Sequence, residues 1–365
     1  MLLLVLTLVM AVVTSPVLIQ NPTDVRFDIA IKEPKNVFRI GEEIDLEFRF
    51  SSSARENYLL GRSCYPTRRT TLISADEFVV EPRTGIADPL ANTTALIWGG
   101  PGTCLGSVIG TLPTYPASQF VSTIPHIQDR ILNEWVEFRK PGRYRISATT
   151  SRQIENSKTP TALRLTSNTL EIEIVAPEPG WAEKQAQAAM VILKSSSDVD
   201  EVLKAGRTIR FLETVEAVPV LVEYFSKSRA GEELRQGLIS SPYRKEVVAE
   251  LEAQIADPDF PITRSWFQTY EELARVADNG PPPKPNEEAL SEEYTEANLE
   301  ARRLWGKDYN AYSAKAAADR KRYLAAIANA LPRKRGEARI TTQNTLQTFG
   351  YQPSEEIHRG RSLRN

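Results

Sequence analysis

The feature that most constrains this chain is a change of apolar period across one short segment. Before Ala176-Pro-Glu-Pro-Gly180 the hydrophobic residues alternate; after it they recur every three or four positions. Alternation places every second side chain on one face of a strand, whereas the longer period places a stripe on one face of a helix. Two prolines and a glycine between the regimes end the last strand and form a short, stiff connection. A chain of 365 residues can give each regime a core of its own. The pattern therefore predicts a β domain over 21–176, a linker at 177–180 and a helical domain over 181–350, with 351–365 as a disordered tail.

In the first regime the alternating sets are Val25, Phe27, Ile29 and Ile31; Ile44, Leu46, Phe48 and Phe50; and Leu170, Ile172 and Ile174. Glu77 to Pro82 reads as a further strand. Two more are expected about a Pro141-Gly142 turn, with Trp135 and Tyr144 in the core. Short strands without intervening helical patterns indicate an all-β antiparallel sandwich. Regularity is lost between Arg83 and Asn133, a stretch rich in Gly, Pro, Thr and Ser. The stretch reads either as an irregular edge with one or two extra strands or, given its length, as a candidate binding surface. Its aromatic residues Trp98, Tyr115 and Phe120, together with His126, are the candidate recognition residues.

In the second regime Asp198 is placed to cap a helix whose stripe is Val199, Val202, Leu203, Ile209 and Leu212. Pro219 falls in the first turn of the next helix, which buries Leu221, Tyr224 and Phe225. A second unit follows, with Val247, Val248, Leu251 and Ile255 facing Phe267, Tyr270, Leu273 and Ala274. The segment beyond Gly280-Pro-Pro-Pro reads as two helices broken near Gly306, then a short helix over Thr341 to Phe349. The six glutamates between Glu287 and Glu300 read as a solvated face.

FRIGEEIDLEFRF and PGRYRISA resemble strands of extracellular immunoglobulin-like modules. FLETVEAVPVLVEYF resembles the helix-turn-helix centre of a HEAT repeat. These resemblances imply an immunoglobulin-like sandwich followed by a HEAT-like solenoid, both of which usually bind or scaffold.

Met1 to Val13 is almost wholly apolar. That length fits the h-region of a signal peptide, here 1–15, although no Lys or Arg precedes it. The expectation is an exported protein, periplasmic or extracellular, with no membrane contact beyond an uncleaved leader. Cys64 and Cys104 are the two cysteines, and in an exported chain they are expected to form one disulfide. Closing a loop of about 40 residues would contribute roughly 4 kcal/mol in the chain-entropy view.

Only two histidines occur, His126 and His358, and the net charge is −2. The chain carries no GxSxG, no HExxH, no calcium loop and no phosphate loop. A balanced charge gives no reason to expect nucleic acid as a partner. The tail from Arg333 has seven basic residues against three acidic ones and reads as a solubilising terminus. Asp and Glu fall where solvated faces are expected. The reading is a non-enzymatic protein-interaction or scaffolding module with no cofactor, no metal site and an unidentified protein partner. Two alternatives stand beside it: an enzyme or enzyme accessory acting on a cell-surface polymer through the 83–133 loop, and a structural envelope component.

Overall fold

The computed structural model describes residues 21–54, 56–60, 76–89, 120–150, 154–158, 163–283, 286, 289 and 295–351. The leader, Cys64, Cys104, Trp98, Tyr115 and the tail beyond Tyr351 lie outside the described residues.

The N-terminal region is β-rich. Its strands are β1 (Val25–Ile31), β2 (Val37–Arg39), β3 (Asp45–Ser52), β4 (Tyr58–Leu60), β5 (Asp76–Glu81), β6 (Ile86–Ala87), β7 (His126–Ile131), β8 (Glu137–Phe138), β9 (Gly142–Thr150), β10 (Ile154–Asn156), β11 (Leu165–Thr166) and β12 (Leu170–Val175). One sheet has the order β1-β3-β7; a second has β11-β9-β12-β2 with β5 also on β9; β4–β10 and β6–β8 are two-stranded. The alternating residues set the register. Phe27 lies opposite Phe50 and Ile29 opposite Phe48, with the Phe27 and Phe50 rings stacked at 4.8 Å. Tyr144, Ile146, Ile172 and Ile174 join them in one core built from both larger sheets. Trp135 and Tyr144 are in that core, as their pattern predicts.

Two expectations change here. The strands flanking Pro141-Gly142 do not pair with each other: β8 pairs β6 and β9 pairs β12, so the turn passes the chain between sheets. Not every pairing is antiparallel either, since β2 runs parallel to β12. A parallel pairing joins strands distant in sequence, so local alternation cannot reveal it.

A buried ion pair ties the two larger sheets. Arg130 on β7 donates from Nε to Asp76 Oδ2 on β5 at 2.9 Å. Thr150 donates to Asp76 Oδ1 at 2.7 Å, and the Trp135 indole to the Asp76 carbonyl at 3.1 Å. The charge is enclosed and supplied with hydrogen bonds, the condition under which a buried pair is tolerated.

The C-terminal region is helical, with eight α-helices among the described residues: α1 (Trp181–Ser195), α2 (Val199–Leu212), α3 (Val218–Tyr224), α4 (Gly231–Ser240), α5 (Arg244–Ala256), α6 (Arg264–Asn279), α7 (Glu296–Ala330) and α8 (Gly336–Thr348). Asp198 caps α2, accepting from the backbone N–H groups of Asp200 and Glu201, and proline stands in the first turn of α3. Odd-numbered helices stack in order, α1 on α3, α3 on α5 and α5 on α7. The even-numbered ones do the same, and α1–α2, α3–α4, α5–α6 and α7–α8 touch within each pair. Their buried faces share one core.

The helical pattern is corrected at four points. Gly306 does not break the chain: α7 runs unbroken through 35 residues. One glycine costs about 1 kcal/mol in a helix interior, too little to stop so long a run of good helix formers. Helix α4 has no counterpart in the sequence reading, because Gly231 and Gly237 weaken its local signal. Those glycines are set by packing: a Cβ on Gly231 would meet the Phe225 carbonyl at 2.5 Å, and one on Gly237 would meet Leu221 at 2.8 Å. The last helix starts at Gly336 rather than Thr341, and Val199 of the α2 stripe faces solvent. Among the described residues no helix is long and apolar enough to cross a membrane.

Candidate functional site at the junction of the two regions

The β-rich and helical regions meet where the 3-10 turn Leu132–Glu134 and the loop after β2 press on α2. Gly41, at φ +84°, brings backbone against backbone: a Cβ there would lie 3.1 Å from the Phe211 carbonyl and 3.2 Å from Leu212 Cα. A left-handed conformation and a close approach coincide at this position, so glycine is required twice over. Asn133 holds the facing loop, accepting from the Ile44 N–H at 2.8 Å and donating to the Glu42 carbonyl at 3.0 Å.

At the centre Arg210 of α2 extends both terminal nitrogens to Glu134, each at 2.7 Å. One of them also donates to Glu233 of α4 at 3.1 Å. Arg210 is 1% exposed and both carboxylates 0%. The fork matches a carboxylate in geometry as well as charge. One turn earlier Arg207 donates to Glu43 at 3.0 Å, so successive turns of α2 each grip the β-rich region. Burial raises the Glu43 carboxyl above its ordinary range, against the pull of Arg207. At the linker, Arg39 forks onto Glu178 and lies over the Trp181 ring at 5.8 Å.

Beside this lock lies a cleft of about 400 Å³, lined by Arg39, Glu42, Asn133, Glu137, Arg139 and Glu213 among others. Glu213 closes α2 in a left-handed conformation, φ 46° and ψ 41°. That conformation costs a side-chain-bearing residue of order 1–3 kcal/mol and persists only where its surroundings enforce it. Its carboxyl is pushed up to about 9, first by burial and next by the hydrogen bond it shares with Glu137. Arg139 grips the other side of Glu137 through Nε and through Nη2, the latter at 2.7 Å. The like charge of Glu137 adds to burial in holding the proton on Glu213.

Of the residues singled out from the sequence, the described ones lie elsewhere. His126 opens β7 opposite Phe50, with burial lowering its imidazole's pKa. Phe120 is exposed and bridges Leu59 of β4. The structure does not bring either to the junction. Where described, the stretch 83–133 supplies β6, β7 and Leu132, which is fully buried, as an edge with added strands would. Solvated faces do not account for all the acids, because Asp76, Glu134, Glu233 and Glu271 are buried. Glu134 sits in ILNEWVEF and Arg210 in TIRFL, each inside an apolar run. A charge embedded in such a run was the available signal. No family model, curated protein or solved structure matches the chain.

Proposed function

We propose that this chain is an exported, non-catalytic interaction module in which an immunoglobulin-like sandwich and a HEAT-like solenoid act as one platform. The observation that carries the reading is the fully buried Arg210–Glu134–Glu233 contact. Its three members come from the β-rich region, from α2 and from α4, so neither region can swing away without exposing a buried charge set. A hinge built for motion would be drawn from weakly held segments instead. Fixing two scaffold units at one angle lets a partner touch both without an ordering cost on binding. The two-layer stacking of α1 to α8 supports the solenoid reading, and the shared core of the two larger sheets supports the sandwich.

The test is affinity capture from the exported fraction of the native host, with the full chain as bait and chemical cross-linking. One or more reproducible protein partners, cross-linked through both regions, is the expected result; capture of none sinks the reading. Mass spectrometry of the exported protein checks its compartment half: the leader up to about Ser15 absent and Cys64 bonded to Cys104. An intact Met1 with free thiols contradicts export.

The Glu137–Glu213 pair favours one second reading, acid–base chemistry on a polymer strand lying in the junction cleft. Hydrolysis of a cell-surface polymer that Glu213→Gln abolishes, in a variant with wild-type folding, would replace the first reading with the second.

A further inference from the structure

Far from the junction, a pocket of about 700 Å³ opens between α6, α7 and the end of α8. Its charged lining is Glu271, Arg275, Arg320 and Lys321, three cations against one carboxylate, a surplus of two. Glu271 is buried and takes both arginines: Arg275 Nη2 donates to Oε1 at 2.6 Å, and Arg320 forks onto both oxygens at 2.7 and 2.9 Å. One carboxylate therefore serves two guanidinium groups. Arg275 Nε is enclosed and has no acceptor among the described residues. An enclosed guanidinium N–H without a partner is unfavourable, and it leaves the Arg275 cation incompletely satisfied by Glu271. Arg320 stands half exposed at the mouth, over the Phe349 ring at 5.8 Å. Leu324 and Phe349 supply an apolar wall beside the cations.

We propose that this pocket binds a small organic anion, with its carboxylate or phosphate on Arg275, Arg320 and Lys321 and its apolar part against Leu324 and Phe349. The volume is that of a small-molecule site and exceeds the needs of a bare inorganic ion. Planar guanidinium forks suit carboxylate and phosphate oxygens alike. Ligand affinity here is held down by Glu271, which competes for the same donors.

That competition supplies a directional test. Phenyl phosphate and benzoate are titrated into the full chain at low ionic strength by calorimetry, with inorganic phosphate as the bare-ion comparison. Saturable binding of an aromatic anion is expected, tighter than inorganic phosphate, and which head group binds better distinguishes the two ligand sources. Glu271→Gln should tighten binding by about tenfold, because two charge-assisted donors are released. Lys321→Gln should weaken it by about threefold, the scale of one screened charge. Lys321 is exposed, so its variant keeps the fold and the test holds even if Glu271→Gln does not. Absence of saturable binding below about 10 mM, which corresponds to an affinity too weak for a built site, overturns the proposal. So does binding that Lys321→Gln leaves unchanged.

Discussion

Replacing Arg210 by methionine should unfasten the junction at a cost that can be worked from the contacts. The side chain is 1% exposed and neutralises two carboxylates that are 0% exposed. Methionine fills most of the volume, so packing is nearly conserved and the loss is electrostatic. Removing the cation leaves Glu134 without the partner that grips both its oxygens and takes from Glu233 the guanidinium at 3.1 Å. Breaking a buried pair from one side costs about 3–5 kcal/mol, because a charge remains without compensation. Glu134→Gln should cost less, about 1–3 kcal/mol, since Arg210 keeps Glu233 and the amide oxygen still accepts. Arg210→Met combined with Glu134→Gln and Glu233→Gln should recover most of the loss, as no net buried charge is left. Two regions can unfold separately, so a single denaturation midpoint is a poor readout. Native-state hydrogen exchange reads each segment. Protection should fall together at Leu132–Glu134 and along α2 in Arg210→Met. Protection unchanged at both, or a loss of under about 1 kcal/mol, would refute the electrostatic reasoning.

Other outcomes follow from single residues. Glu213 holds its proton more tightly in the folded chain, so its contribution to stability is complete below about pH 4.5 and is lost as pH rises toward about 9; the stability of Glu213→Gln should be flatter across that window, measured by urea denaturation at several pH values. Gly306→Ala should stabilise α7 by about 1 kcal/mol, because a Cβ there meets nothing within 4 Å; circular dichroism melts check it. Gly206→Ala should destabilise by about 1–3 kcal/mol through overpacking, since its Cβ would stand 2.6 Å from Ala230; a higher melting temperature would contradict the close α2–α4 contact. Lys334 donates to the carbonyls of Gln254, Asp257 and Phe260 at 3.1, 2.5 and 2.8 Å. Lys334→Met should leave these acceptors at the end of α5 unmet and cost about 1–3 kcal/mol by chemical denaturation.

Local pattern alone was enough for the order of the chain: alternating strands, then helices, with the change at the Pro-rich segment. Alternation and helical stripes are written residue by residue, and so are caps, which is why Asp198 and the proline of α3 were legible. The Phe27–Phe50 face was legible for the same reason. What tertiary structure alone decided is everything that depends on residues far apart in sequence. Helix α4 reads weakly because its glycines answer to α2 and α3 rather than to their own neighbours. The parallel β2–β12 pairing joins the two ends of the β-rich region. The junction is of this kind throughout: Glu134 and Arg210 are 76 positions apart. Each looks misplaced within its own apolar run, and the reason appears only where the two runs meet. Periodicity records which side of an element faces a core. It carries no information about which two faces will be pressed together, and at this junction that pairing determines which charges are buried.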